Sequence, residues 1–145
     1  MGLYRKLHPA INRSTYDAGD QTPVFRVDGL TFGIVICNDS NYPEPARFMV
    51  SKGATALFIP TNNGLAPEKA DVAAHARRVD IALAIKHGVS VIRADVAGRA
   101  DGMVSYGSSG IVDSRGRVLQ STQPLTEDLI VADLEVSLPE PRAIP

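Results

Sequence analysis

The fold of this chain is decided by residues 31–60, TFGIVICNDSNYPEPARFMVSKGATALFIP. The run at 31–37 is apolar and hardly alternates, which predicts a central strand buried on both faces. Proline fits the first turn of a helix, so a short helix is expected from Pro43 to about Lys52. The apolar run at 56–60 predicts a second strand. Strand, helix and strand in this order predict a parallel crossover in an α/β sheet.

The alternation of strands and helices continues on both sides of this unit. A hairpin is expected upstream, where a strand at 24–27 meets the first strand through Asp28 and Gly29, a pair that tolerates positive φ. Downstream, apolar residues recur at helical spacing from Glu68 or Lys69 to His87, which predicts an amphipathic helix ended by Gly88. Further strands are expected at 89–96, 110–112, 117–119 and 129–134. The sequence is therefore that of an α/β protein with at least two parallel crossovers.

Composition limits the classes of protein that this chain can represent. With 145 residues, 44% hydrophobic and 21% charged, it has the balance of one folded domain, expected over 1–136 with a proline-rich tail at 137–145. A net charge of -1 without a basic cluster argues against nucleic-acid binding. No apolar stretch approaches the ~20 residues of a membrane span, and a lone cysteine favours a cytoplasmic location.

The lone cysteine, Cys37, is the first candidate for chemistry. It follows a buried strand and precedes a helix, a position where backbone N–H groups and a helix dipole favour a thiolate and can hold an oxyanion. Asn62 and Asp95 also stand near the carboxyl ends of predicted strands, where the sites of such sheets gather. The alternative for a lone cysteine is a small buried core residue. For Asp39, Tyr42 and Glu44, the alternative is turn and helix-cap chemistry.

A nucleophilic cysteine needs a partner, and the sequence offers two kinds. An ammonium ~4 Å from a thiolate contributes about 4 kcal/mol at an effective dielectric near 20, and Lys6 is one candidate. The alternative for Lys6 is a solvated side chain. His8 and His75 are possible bases, although no known cysteine-protease signature surrounds Cys37.

Several other residues are expected to be structural. Arg77 and Arg78 are assigned to the solvated face of the long helix. His87 lies in the last turn of that helix, where a cation suits the dipole. The stretch 106–110, YGSSG, fails the spacing of a serine elbow, and the single cysteine with three scattered histidines forms no metal-ligand pattern. We therefore expect neither a metal nor a cofactor.

Five stretches, taken in order, resemble the nitrilase or carbon-nitrogen hydrolase superfamily. They are YRKLHP at 4–9, GIVICNDSNYPE at 33–44, ALFIPTNN at 56–63, HARRVDIALA at 75–84 and YGSSGIVDSRGRVL at 106–119. The resemblance extends from about Tyr4 to about Leu134. It implies a cysteine acyl-enzyme, with Cys37 as nucleophile, Lys6 stabilising the tetrahedral intermediate and the backbone N–H of Asn38 as an oxyanion donor. It also implies a four-layer α-β-β-α sandwich, of which this chain corresponds to the carboxyl half, a mixed sheet with helices on one face.

The chain departs from the pattern of the superfamily at one catalytic position. The resemblance implies a catalytic glutamate upstream of the lysine, yet the first glutamate here is Glu44. A general base contributes ~10² to 10⁴ in rate, so the chain is expected to be a weak or inactive hydrolase. The alternative is a non-catalytic paralogue that binds a ligand or a protein.

The resemblance also carries expectations about substrate and assembly. The implied substrate is a small amide or carbamoyl amide, favoured over a nitrile by Asn38 and Asp39 after the cysteine. Half of a sandwich leaves one sheet face uncovered, and an exposed apolar patch favours self-association. We therefore expect a homo-oligomer.

Overall fold

Two sheets and two helices make up the part of the chain that the computed structural model describes, residues 2–10, 15–64 and 71–135. The main sheet has six strands in the order β1-β2-β3-β4-β7-β8, and β5 and β6 form a separate hairpin. The strands are β1 Phe25–Val27, β2 Leu30–Ile34, β3 Ala56–Thr61, β4 Ser90–Asp95, β5 Ala97–Ala100, β6 Met103–Tyr106, β7 Gly110–Val112 and β8 Val118–Ser121. The helices are α1 Pro43–Ser51 and α2 Asp71–His87, with a 3₁₀ turn at Cys37–Asn41.

The pairing confirms the predicted mixed α/β sheet. β2 pairs with β3 and β3 with β4, both in parallel, through crossovers that contain α1 and α2. The remaining pairs of the main sheet, β1 with β2, β4 with β7 and β7 with β8, are antiparallel. Both predicted hairpins are therefore present. Asp28 and Gly29 adopt positive φ of 46° and 85° in the first of them.

One face of the main sheet packs against both helices, and we call it the helix face. Leu57, Ile59 and Val91 lie on it and are fully buried, together with Met49 of α1 and Ala84 of α2. Gly33 also lies on this face, because a Cβ there would press into the Met49 side chain. The helix face therefore holds the hydrophobic core.

The other face, called the second face, carries the alternate residues of the same strands. It includes Leu30, Ala56, Phe58, Ile92 and Ile111, which line a cavity of about 330 Å³. Residues 130–134 line one side of this open cavity, and half-buried and exposed side chains alternate along them. This face is thus covered by a single extended segment instead of by helices.

Two predictions about strands were wrong in detail, and one hairpin was not predicted. The segment at 129–134 alternates as a strand does, but it forms no ladder in the described chain because it crosses the second face instead of joining an edge. β2 ends at Ile34 instead of Cys37, and most of its residues are only half-buried because the second face lacks a packed layer. The β5–β6 hairpin was not predicted, although Asp101 and Gly102 at its turn have positive φ.

The long helix agrees with the prediction where it is described. α2 ends at His87, and Gly88 stops it with a φ of 65°, a conformation that glycine adopts without steric cost. Its predicted start at Glu68 or Lys69 falls outside the described residues, as does the predicted tail at 137–145. Within the described residues, neither helix has the length and apolar character of a membrane span.

Candidate active site

The candidate nucleophile lies in a turn with unusual backbone geometry. Cys37 follows β2 by three residues and opens the 3₁₀ turn, with a φ of 47°. A non-glycine residue in this left-handed region costs of order 1–3 kcal/mol and persists only where neighbouring groups hold it. The conformation therefore depends on the contacts around the turn.

A buried ion pair holds the turn from the side of the sheet. Arg93, on the helix face of β4, contacts the carboxylate of Asp80 at 2.6–3.1 Å through two nitrogens, and both side chains are nearly inaccessible to solvent. The same guanidinium donates to Ser40 Oγ at 3.3 Å, and Ser40 Oγ donates to the Cys37 carbonyl at 2.7 Å. This chain of bonds fixes the backbone of the cysteine to the core.

Asp39 fixes the turn from the other side and connects it to the segment that carries Lys6. Its carboxylate is fully buried and accepts from the Tyr4 hydroxyl at 2.7 Å, the His8 N–H at 2.7 Å and the Leu7 N–H at 3.4 Å. Burial and the neighbouring Asp39 carboxylate raise the pKa of Tyr4 far above its usual value, so the phenol remains a donor. Residues on both sides of Lys6 are thereby attached to the turn that begins at Cys37.

A cavity of about 220 Å³ lies in front of the cysteine. Its lining includes Cys37, Asn38, Asn63, His75 and Arg93. Of the three predicted site residues, the cavity brings together Cys37 and Asn38. Lys6 is half-buried beside the Asp39 network and is absent from the described lining.

The backbone N–H of Asn38 lies at the start of the 3₁₀ turn. The first hydrogen bond of the 3₁₀ turn runs from the Asp39 N–H to the Ile36 carbonyl at 3.0 Å, so the N–H groups of Cys37 and Asn38 precede it and have no acceptor inside the turn. The side chain of Asn38 is engaged elsewhere, with the His8 carbonyl at 3.0 Å and the Asn41 amide at 3.2 Å. The side chain of Asn38 is therefore engaged by protein groups, whereas its backbone N–H is not used inside the turn.

The thiol contacts the side-chain amide of Asn63, a residue that follows the end of β3. Cys37 Sγ donates to Asn63 Oδ1 at 3.8 Å. Asn63 in turn donates to the Asp95 carboxylate from its backbone N–H and from Nδ2, both at 3.3 Å. Ser108 completes the cluster, donating to Asp95 from its N–H at 2.9 Å and from its hydroxyl at 2.7 Å. The predicted meeting of Cys37 and Asp95 at one sheet edge is thus mediated by Asn63.

The candidate histidine bases are engaged with other groups. His8 stacks on Tyr42, with ring centroids 3.8 Å apart, and His75 Nε2 lies 3.1 Å from Asn41 Oδ1. In the portion of the chain that is described, the thiol makes its hydrogen bond to Asn63 and none to a histidine. The geometry therefore supplies no cysteine–histidine pair.

Two predictions about α2 were wrong. Arg77 is not a solvated side chain: it is half-buried and donates to the carbonyls of Ser108 and Ser109 at 3.3 and 2.8 Å, filling space left by Gly110. Burial and the adjacent Lys86 lower the pKa of His87, which favours the neutral imidazole over the predicted cation. Both side chains are therefore less exposed to solvent than the sequence indicated.

Sequence reasoning missed the residues that support the site. For Asp39 the sequence offered turn chemistry as the alternative to a role in the site, and neither interpretation included its bonds to the segment at 4–8. Arg93 and Asp80 were not singled out, although a charged pair among apolar strand and helix positions is itself a signal of a buried pair. No described carboxylate lines the cysteine cavity, and no described cluster of His, Cys, Asp or Glu is arranged to hold a metal ion.

The fold and this cavity define a class: α/β proteins whose site lies beyond the carboxyl ends of parallel strands. The chain belongs to the carbon-nitrogen hydrolase family, whose model matches residues 1–141. The predicted family, fold class and α/β architecture are therefore confirmed.

Individual proteins and solved structures to which the chain is similar support the same family. The chain is 30% identical to an N-carbamoylputrescine amidase of Oryza sativa, over 94% of this chain and 50% of that protein. The solved carbon-nitrogen hydrolase of Helicobacter pylori G27 matches with a TM-score of 0.83 and 25% identity, over 93% of this chain and 52% of that one. The amidase of Nesterenkonia sp. AN1 matches with a TM-score of 0.71 and 25% identity, over 83% of this chain and 46% of that one.

The last structure is of a glutamate-to-glutamine variant and shows the acetamide moiety of fluoroacetamide added covalently at the active-site cysteine of that amidase. The chain spans about half the length of the curated relatives that it matches.

Proposed function

We propose that this chain carries the nucleophile of an amide- or carbamoyl-amide-cleaving carbon-nitrogen hydrolase, with Cys37 as that nucleophile. The observation that supports this most strongly is the strained Cys37 turn, held on both sides and facing a cavity. The covalent adduct at the cysteine of the Nesterenkonia amidase supports the same role by similarity.

The proposed reaction passes through a thioester. Sγ of Cys37 releases its proton and bonds to the carbonyl carbon, and the carbonyl π electrons move to the oxygen. The Asn38 N–H and the Lys6 ammonium stabilise that oxyanion. Collapse of the intermediate breaks the C–N bond, the amine leaves with a proton taken from solvent, and water then cleaves the thioester.

Turnover by these 145 residues alone is proposed to be slow. Residues 1–43 contain no glutamate, and no described carboxylate lines the cysteine cavity. Without a positioned base, the thiol proton passes to solvent and the gain of ~10² to 10⁴ from general-base catalysis is lost.

The test combines intact-mass spectrometry with an ammonia assay. After incubation with a small aliphatic amide or N-carbamoylputrescine, the wild-type chain should gain an acyl mass at Cys37, while ammonia release beyond one equivalent per chain stays near the level of the Cys37→Ala control. Absence of any adduct at Cys37, or an equal adduct in the control, would contradict the proposal.

The same lack of a carboxylate favours one alternative, a non-catalytic member of the family that uses the cavity to bind a ligand. The genomic sequence before Met1 separates the two. An in-frame segment that contains the glutamate supports the hydrolase, and a stop codon in that frame supports the binding protein.

A further inference from the structure

We infer that Asn63 is a specificity-determining residue, whose side-chain oxygen selects substrates bearing an amide N–H over nitriles and fully substituted amides. The inference deepens the proposed function and rests on it, because it names the group that the cysteine site recognises. It follows from the orientation that the network around Asp95 imposes on the Asn63 amide.

The carboxylate of Asp95 accepts four hydrogen bonds from two residues, Ser108 and Asn63. Its carboxylate takes two bonds from Ser108, at 2.9 and 2.7 Å, and two from Asn63, both at 3.3 Å. An ionised carboxylate accepts hydrogen bonds and donates none. The group facing Asp95 from the Asn63 side chain must therefore be the NH₂ end of the amide.

The contact with Asp95 also fixes the oxygen end of the Asn63 amide. With Nδ2 committed to Asp95, Oδ1 of Asn63 must point away from it, and it lies 3.8 Å from Cys37 Sγ. If the Asn63 amide were flipped, its Oδ1 would face the Asp95 carboxylate oxygen, and the hydrogen bond from Nδ2 to Asp95 would be lost. The cavity thus presents an acceptor, Asn63 Oδ1, beside the sulfur. The donor end of the amide cannot take its place without breaking the contact with Asp95.

During attack, a substrate N–H can replace the thiol as the donor to Asn63 Oδ1. The thiol is a weak donor, and an amide N–H is a stronger one. In a near-attack complex the carbonyl carbon lies ~3–3.5 Å from the nucleophile, and the amide nitrogen is ~1.33 Å from that carbon. The N–H of a primary amide is therefore within reach of Oδ1. A nitrile or an N,N-dialkyl amide has no hydrogen to place there and leaves the acceptor unpaired.

Asn62 provides a matched control. It is the same residue type at the adjacent position, but its Oδ1 already accepts from Ser105 Oγ at 3.0 Å and from the Gly64 N–H at 3.1 Å. Its oxygen is engaged by the protein, whereas the oxygen of Asn63 faces the sulfur. Asn62→Leu and Asn63→Leu remove the same atoms and differ in which acceptor is lost.

The experiment measures alkylation of Cys37 by paired probes and requires no turnover. Chloroacetamide is compared with N,N-dimethyl-2-chloroacetamide and with chloroacetonitrile. In each reaction a bond forms between Sγ and the probe carbon, chloride leaves with the C–Cl electrons, and the thiol proton passes to buffer. The second-order rate constant for chloroacetamide is divided by that for each of the other two probes. This ratio is then divided by the same ratio for N-acetylcysteine, which removes the intrinsic reactivity of the probes.

One hydrogen bond should raise this corrected ratio for chloroacetamide about three- to tenfold in the wild-type chain. Asn63→Leu should return the ratio to within about twofold of unity, and Asn62→Leu should retain the wild-type value. A wild-type ratio near unity, an unchanged ratio in Asn63→Leu, or an equal loss in Asn62→Leu would overturn the inference.

Two further measurements keep the test decisive. Near-ultraviolet circular dichroism reports whether Asn63→Leu folds; if it does not, Asp95→Asn replaces it, because the new amide releases Asn63 and should lower the ratio at least about twofold. An unchanged ratio in folded Asp95→Asn then overturns the inference. A Cys37 that reacts with every probe no faster than N-acetylcysteine contradicts the proposed function instead, whatever the ratio.

Discussion

The two faces of the main sheet consist of alternate residues of the same strands, yet they differ in nearly every physical respect. On the helix face, Leu57 and Ile59 are fully buried, and the charged pair of Arg93 and Asp80 is closed off from water. On the second face, Phe58 is half-buried under residues 130–134. Val131 in this segment keeps 74% of its surface exposed, and Leu129 just before it keeps 86%.

The difference shows where the site obtains its rigidity. Arg93 reaches the Cys37 turn from the helix face and holds it through Ser40. The second face contributes none of the contacts described around the thiol. The site is therefore supported by the fully packed side of the sheet.

The largest expected effect is from breaking the buried pair on the helix face. Arg93→Met leaves Asp80 buried without its counter-charge, which should lower the free energy of unfolding by about 3–5 kcal/mol. The control is Arg117→Met, which removes an exposed pair with Asp113 and should leave the unfolding midpoint nearly unchanged. Urea denaturation compares them; equal losses in the two variants would contradict the distinction.

A second comparison uses neighbouring residues of β3 that point to opposite faces. Leu57→Ala opens a cavity in the closed core and should cost about 2–5 kcal/mol. Phe58→Ala removes a larger side chain but from a half-exposed position, so a cost of about 1–2 kcal/mol is expected. If thermal or chemical unfolding finds Phe58→Ala the more destabilised, the second face is packed as tightly as the helix face.

These elements also show how far the sequence alone leads. The βαβ unit and both hairpins of the main sheet are predictable because apolar runs and turn residues are local signals. The β5–β6 hairpin escapes prediction because its strands, AGRA and MVSY, lack an apolar run. The segment at 129–134 has the alternation of a strand, but alternation specifies which side chains are buried and does not supply a pairing partner.

The site is predictable only in part for a related reason. Cys37 is found from its position after an apolar run. The residues that hold it are not, since Arg93 and Ser40 lie 53 positions apart and Asp39 and Tyr4 lie 35 apart. Contacts of that separation follow from the three-dimensional crossing of strands, which no local pattern encodes.

The expected homo-oligomer would form through the second face, so a measurement of self-association tests that face separately from the helix face. If a second copy covers the face around Phe58, light scattering at micromolar concentration should give at least the mass of a dimer. Phe58→Lys should shift the chain toward monomer, because a charge is costly to bury in an apolar contact. A wild-type monomer under these conditions contradicts the expected homo-oligomer.

The smallest expected effect is on the pH dependence of the free energy of unfolding, through His87 at the end of α2. The buried Nε2 of His87 has no hydrogen-bond partner among the described residues, and its pKa is lowered from 6.5. Below about pH 6.5 the unfolded chain therefore binds more protons than the folded one, and the free energy of unfolding falls as pH decreases. His87→Gln should show a shallower decline between pH 7.5 and 5.5 in urea titrations. A slope identical to that of wild type would contradict this assignment.

The central claim is that the Asp39 network brings the Lys6 segment to an activated Cys37, and one rate constant tests it. Alkylation by iodoacetamide at pH 7, localised by peptide mass spectrometry, should be at least about tenfold faster at Cys37 than for N-acetylcysteine. Lys6→Gln should remove most of this advantage, while Lys86→Gln, the same change at an exposed lysine of α2, should retain it. A wild-type rate no greater than that of N-acetylcysteine, or equal rates in the two lysine variants, would contradict the claim.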